Sequence, residues 1–283
     1  MRMTVLKHLF LVFIFGISSS FSFPDPIPAT FQDSIKNDCS IYNSTFKAGE
    51  ELTYKLYYNW NFIWLSAGEV TFKVTDLGPT YHISAVGQTY SSYEWFFKVR
   101  DHYQVFLEKE TLLPKESIRD VHEGDFQLFD HLSFDHANKQ VTSRRGKTRK
   151  DTKTVVTKVD NCVHDVLSIL YYMRNVNYNA MRVNETIPIN IFIDNEIWPL
   201  GVKYKGKEKE KKIKGLGDFN VLKFSPEVIA GNVFEEGTEM TIYASDDFNR
   251  IPLLIESPVS VGSVKAVLKD YKGLKYSLAS KTD

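Results

Sequence analysis

The chain has no excess of either charge: 35 Lys and Arg stand against 35 Asp and Glu in 283 residues. Phosphate binding needs a basic surplus, so nucleic acid is excluded as a partner. No apolar run reaches the roughly 20 residues that a helix needs to cross a bilayer. The stretch Leu9 to Phe15 falls well short, even when extended to Ile17. Cysteine is scarce. Cys39 and Cys162 are the only two, and neither sits beside a histidine at a spacing that suggests a zinc site or a thiol nucleophile. There is no Gly-x-Ser-x-Gly elbow, no glycine-rich loop leading into a helix with Lys-Ser or Lys-Thr, and no His-x-His pair. No catalytic residue, metal ligand set or cofactor is therefore assigned.

What is present begins with the grammar of export. Arg2 and Lys7 form a basic region, Leu9 to Phe15 an apolar core, and Ser20-Phe21-Ser22 places small residues three and one before a cut, so residues 1–22 read as a secretory signal peptide. No cysteine follows the apolar run directly to accept a lipid. The expected product is a soluble protein of the periplasm, or one associated with the outer membrane, with no transmembrane segment in the mature chain. Losing Arg2 and Lys7 leaves 33 basic residues against 35 acidic, a formal charge of −2. In an oxidising compartment Cys39 and Cys162 can close a disulfide, the alternative being two buried thiols that never meet.

Residues 23–46, with Pro24, Pro26 and Pro28, read as a tail, extended or disordered. The remainder, 47–283, reads as an antiparallel β domain, undivided or in halves 47–160 and 161–283. From Glu50 onward period-two alternation dominates: Leu52, Tyr54, Leu56 and Tyr58 share one face, then Val70, Phe72 and Val74, then Tyr81, Ile83 and Ala85, then Tyr103, Val105 and Leu107. Strands are expected again at 186–194, 197–205, 219–224, 239–244, 252–256 and 261–268. The periodicity changes once, where Val163, Val166, Leu167, Leu170, Tyr171 and Arg174 recur at helical steps; the spacing predicts an amphipathic helix capped by Asp160 or Asn161. Two basic runs, Arg144 to Lys153 and Lys203 to Lys214, are placed at hairpin tips as solvated turns. Many strands without a repeated strand-helix-strand unit exclude a doubly wound parallel sheet. The prediction is a mainly β fold: a large antiparallel sheet curled into a half-barrel or barrel-like sandwich, with one packed amphipathic helix.

Three segments carry a resemblance: Gly49-Glu50-Glu51-Leu52-Thr53-Tyr54 with Ala67-Gly68-Glu69-Val70; Asp165 through Arg174; and Ser245-Asp246-Asp247-Phe248-Asn249-Arg250-Ile251-Pro252 continuing to Val261-Gly262-Ser263-Val264. Together with Asp101-His102-Tyr103 through Leu112-Leu113-Pro114, they resemble the exported bacterial family known as domain of unknown function 3108, over roughly residues 47–275. Members often carry a tryptophan just ahead of the Ser-Asp-Asp segment, where this chain has Tyr243-Ala244. The resemblance implies a periplasmic or surface β protein and implies no activity.

Two groups of residues are candidate sites. Trp60, Trp64, Tyr90, Tyr93, Trp95 and Phe96 lie in dense aromatic segments between strands, and such residues either line a lipid or sugar pocket or pack a core. Ser245, Asp246, Asp247, Asn249 and Arg250 form the densest polar segment, which either presents carboxylates to a substrate or makes a side-chain-bonded turn. His122, His131 and His136 cluster among acidic residues, but their spacing does not present two ring nitrogens to one ion. The leading expectation is a non-enzymatic envelope protein that binds or carries an amphiphile or glycan. The alternatives are a scaffold or assembly factor for another envelope protein, and a hydrolase acting through Asp246 or Asp247.

Overall fold

The computed structural model describes residues 39–60, 63–95, 97–159, 162–228, 239–259 and 262–283. The expected signal peptide, the tail as far as residue 38, the expected caps Asp160 and Asn161, and Phe96 lie outside the described residues. Fourteen strands and a short helix follow in order: β1 (Glu51–Trp60), β2 (Ile63–Asp76), β3 (Thr80–Thr89), β4 (Arg100–Glu108), β5 (Pro114–Glu123), β6 (Phe126–Asp135), β7 (Gln140–Gly146), β8 (Lys153–Lys158), α1 (Ser168–Met173), β9 (Thr186–Ile193), β10 (Glu196–Ile213), β11 (Gly217–Pro226), β12 (Thr241–Ser245), β13 (Pro252–Pro258) and β14 (Ser263–Lys272).

All fourteen strands join one antiparallel sheet in the order β8-β7-β6-β5-β4-β3-β2-β1-β14-β13-β12-β11-β10-β9. Both expected halves thus contribute to the same sheet. Each meander is built by the alternation of its own strands. In β4, Asp101, Tyr103, Val105 and Leu107 are buried while their neighbours are half-exposed, so one face of the strand turns inward. The turn into β3 is set locally: Gly78 adopts φ +79°, and its amide donates to Asp76 Oδ1 at 2.8 Å. One hydrophobic cluster runs from Phe46 through most of the strands to Leu167, Ile169 and Tyr171 around α1.

Among the described residues the ladder does not close, because β8 and β9 are edges. Side chains bridge the seam instead. Leu132 and Phe134 of β6 and Val141 of β7 pack with Val159, Val163 and Phe192 of β9. Beside them Arg119 of β5 donates to Asp130 at 2.5 Å and to Asp194 at 2.7 Å, and Arg145 also pairs with Asp194. Cys39 and Cys162 form a disulfide across 123 residues, tying the amino-terminal segment to the strand-like stretch that precedes α1. The described end of the tail is packed, with Phe46 buried against Tyr81 and Tyr171.

Two sequence expectations need correction. The helix expected from Val163 to Arg174 is only Ser168–Met173. Residues ahead of it are held elsewhere: the His164 amide donates to Asn190 O and its carbonyl accepts from Phe192 N, each at 2.8 Å, adding a parallel bridge to the β9 edge. The Asp165 carboxylate then takes the amides of Ser168 at 2.8 Å and Leu167 at 3.3 Å, and Ser168 Oγ takes the Asp165 amide at 2.9 Å. This reciprocal cap fixes the helix start. The basic run Lys203 to Lys214 is not a hairpin tip but lies largely inside the 18-residue β10, bulged at Tyr204/Gly206 and Glu208/Lys211. The lysines tolerate a strand because their stems lie on it: Lys211 Nζ sits 4.2 Å from the Tyr243 ring centroid, and Lys207 pairs with Asp246. In the run Arg144 to Lys153, the turn itself is confined to 147–152, between β7 and β8.

Candidate functional site

Strand reversals fall on two rims of the curled sheet. The first rim carries the β1–β2, β3–β4, β5–β6 and β7–β8 connections, and the second carries the entry to β1, the β2–β3, β4–β5 and β12–β13 turns, and α1. Arg174, just past α1, fixes the helix over the second rim. Its guanidinium makes a two-pronged pair with Glu50 at 2.6 and 2.8 Å, and its Nε donates to Asn249 O at 3.0 Å. Arg174 is 4% and Glu50 0% exposed. Burial disfavours the guanidinium charge, but Glu50 outweighs it and holds the Arg174 pKa above its ordinary value. The carbonyls at the end of α1 are met by Arg250, which donates to Arg174 O at 3.1 Å and Val176 O at 2.6 Å.

Under α1 the curled sheet lines a cavity of about 60 Å³. Its walls are largely apolar: Leu52, Leu56, Val70, Phe72, Ala85 and Ala266 from the sheet, with Leu170 and Tyr171 from the helix. Polar side chains also reach it. Arg174 is already paired, and Tyr54 donates to Pro252 O at 2.9 Å. Asp101 and Tyr103, neighbours on the inward face of β4, also line it, and the Asp101 carboxyl is hydrogen-bonded to the buried Glu123 carboxyl. Asp101 Oδ1 accepts from the His122 amide at 3.0 Å. Burial pushes the Asp101 carboxyl up to about 7, against the His122 amide and the adjacent Glu123 carboxyl, which pull it down. Burial also raises the Tyr103 phenol well above its ordinary range, so it stays protonated and able to donate.

This polar wall continues toward the seam. Glu123, Arg119, Asp130 and Ser143 are all buried on inward strand faces, and Ser143 Oγ donates to Asp130 Oδ1 at 3.1 Å. Among the described residues Arg119 Nη1 has no partner. The interior is thus apolar under α1 and increasingly charged toward the first rim.

The candidate residues read from sequence fall elsewhere. Trp64, Tyr90, Tyr93 and Trp95 gather on the first rim; none lines the cavity. Trp64 is 40% and Trp95 83% exposed, and Tyr90 Oη donates to Glu69. The Trp60 side chain and Phe96 lie outside the described residues. The polar segment is a structural knot. Asp247 accepts from Ser245 Oγ, Asn249 N, Arg250 N and Ser280 N. Asn249 donates to Tyr276 O and Ser277 O and accepts from Tyr276 N. Asp246 pairs with Lys207 at 2.9 Å. Neither carboxylate opens into the cavity. The histidines are engaged locally: His122 with Asp120 and His131 with Glu116, each at 2.9 Å, and His136 with Pro114 O. Among the described residues no group of three or more His, Cys, Asp or Glu side chains converges as a metal site.

The residues that build the cavity's polar wall were missed in the sequence, although they leave a signal there. Asp101 is in the same phase as Tyr103, Val105 and Leu107, and Arg119 and Glu123 are in phase with Val121. A charge on the apolar phase of a strand marks a buried polar group that requires a partner. The three segments that carry the family resemblance also meet in space, through Glu50, Arg174 and Asn249.

A model of a family described as a protein of unknown function, DUF3108, matches residues 53–269. No curated protein matches the chain. The crystal structure of a beta-barrel-like protein of domain of unknown function DUF1849 from Brucella abortus has a similar fold, with a TM-score of 0.55 and 8% identity, covering 81% of this chain and 98% of that one.

Proposed function

Because the chain belongs to the DUF3108 family of proteins of unknown function, its role has to be read from its own geometry, and we propose that it is a non-enzymatic binder that holds the apolar part of an amphiphile inside the barrel. The observation that carries this reading is the apolar cavity beneath α1 with a few convergent polar groups, the pattern of small-molecule sites. In this reading the protein acts in the cell envelope, after removal of the amino-terminal export signal. The present volume sets a size rule. A cavity of roughly 150 Å³ holds a benzene ring, so 60 Å³ admits only a short stretch of chain, and a longer ligand must displace Leu170 and Tyr171. Affinity for alkyl ligands should then rise with chain length only where α1 yields, visible as loss of protection of the 168–173 amides. The test is mass spectrometry of the organic extract of the purified protein, beside an Ala85→Leu variant that fills the cavity. The reading expects a stoichiometric amphiphile that disappears in the variant while cooperative unfolding is kept. Equal retention by both proteins would put the ligand elsewhere and end the reading.

A second reading has its own observation. Edge strand β8 exposes Val155 and Val156 between Lys153 and Lys158, and among the described residues its outer ladder is unpaired. An edge of this kind supports strand addition by another envelope protein. A stoichiometric protein partner without extracted lipid, lost on Val156→Lys, would favour it.

A further inference from the structure

Strand β8 reads Lys153-Thr154-Val155-Val156-Thr157-Lys158, the same in both directions. It pairs with β7 on one side only, from Lys153 opposite Arg145 to Lys158 opposite Gln140. Opposite residues share a face of the sheet, so Val155 continues the buried face of Ser143 and Val156 the outer face of Thr142. Yet no residue of β8 is buried, and the strand is uncovered on both faces. The other edge, β9, differs: Ile191, Phe192 and Ile193 are buried, and His164 bridges to it. Building on the strand-addition reading above, we infer that β8 takes an extended segment of another protein in which acidic residues five positions apart flank a β-branched centre.

The two lysines select that partner. The palindrome lets β8 of two copies pair antiparallel about a two-fold axis, Val155 against Val156 and Thr154 against Thr157, but the same register sets Lys153 against Lys158 at both ends. Like charges directly opposite destabilise a strand pair, so the ends oppose the self-association that the valines invite. An acidic partner meets the reverse condition. Among the described residues neither lysine joins an ion pair. Arg144, opposite Thr154, adds a third exposed cation on the outer face. Lys153 and Lys158 are five apart and point to opposite faces, so the partner's carboxylates must do the same.

The test is NMR titration of the intact protein with cyclic β-hairpin peptides, preorganised so that little ordering opposes binding. Their free edges read Glu-Thr-Val-Val-Thr-Glu, Gln-Thr-Val-Val-Thr-Gln and Lys-Thr-Val-Val-Thr-Lys. Each edge is the same in both directions, so parallel and antiparallel addition present the same charges. Two exposed cross-strand ion pairs should make the Glu peptide bind about five-fold tighter than the Gln peptide, with the Lys peptide weakest. The shifts and slowed amide exchange should centre on 153–158, and salt at about 1 M should remove most of the difference. Lys153→Glu with Lys158→Glu should reverse the order; both side chains are exposed, so the fold is kept. Equal affinity for the Glu and Gln peptides, or an order that the charge reversal leaves unchanged, would overturn the acidic partner and leave strand addition intact. Uptake of none of the peptides would sink strand addition itself. Sedimentation should show a monomer; a dimer lost on Val156→Lys would assign the edge to a second copy instead.

Discussion

Replacing Asp101 with asparagine should stabilise the protein, and by an amount that depends on pH in a specified direction. The carboxyl is buried, and its folded-state pKa stands at about 7 against an ordinary 3.8. A raised folded value means that the native state binds the proton more readily than the unfolded chain does. The stability linked to that proton is fully present below about 3.8 and is lost as pH rises through 7. At 1.36 kcal/mol per pH unit, the difference corresponds to about 4 kcal/mol once the pH exceeds 7. Asp101→Asn removes the titration but keeps an oxygen for the His122 amide, now 3.0 Å from Asp101 Oδ1. Its advantage over the parent should therefore be largest at pH 8, approaching about 4 kcal/mol as an upper bound, and should shrink by about 1.4 kcal/mol per pH unit toward pH 4. Urea unfolding of both proteins at pH 8, 6 and 4, followed by circular dichroism, measures it; titrating groups other than the hydrogen-bonded Glu123 carboxyl cancel in the difference. A gain that does not vary with pH, or a loss at pH 8, would refute the argument that this carboxyl is a buried proton-binding group.

Removing the disulfide with Cys39→Ser and Cys162→Ser should lower stability by up to about 5 kcal/mol, the chain-entropy value for a loop of this length; chemical denaturation checks it, and reductant should lower the parent toward the variant. Arg174→Ala should cost about 3 to 5 kcal/mol because Glu50 is left buried and unpaired, whereas Glu50→Gln combined with Arg174→Met should recover much of that loss in a double-mutant cycle. Burial, reinforced by His136, lowers the His164 pKa to about 3, so the unfolded chain takes up a proton below pH 6.5 that the native ring refuses. Stability linked to this ring is present above 6.5 and lost as pH falls toward 3, and His164→Gln should flatten the decline in unfolding free energy between pH 7 and pH 4.

The strands were legible because one side of the sheet faces the core, and Leu52, Tyr54 and Leu56, or Tyr103, Val105 and Leu107, must then alternate with half-exposed neighbours. The run Lys203 to Lys214 hid a strand, since long aliphatic stems let lysines lie on a sheet that composition assigns to solvent. The helix was overextended because Val163, Val166 and Leu167 are buried for another reason: the chain there pairs with β9 before it turns. Dense aromatics drew attention to the first rim, but the cavity is walled by residues that look like ordinary core. Its polar members, Asp101 and Tyr103, are separated in sequence from Arg174 and become one site only when the sheet curls. The Ser245 to Arg250 segment was conspicuous because it holds the end of α1 and the carboxyl-terminal segment, a structural role that concentrates polar residues as a binding site does.

The pairing of β1 with β14, which sets Glu51 opposite Lys272, has a consequence for how the molecule assembles. The middle of the sheet is made from its first and last strands, and that ladder joins segments more than 200 residues apart in sequence, so it is expected to form late. Until the last strand docks, the nascent protein is two separate meanders with four open edges in place of two. Each open edge invites pairing with a neighbouring molecule. Truncation before residue 263 would make that transient vulnerability permanent.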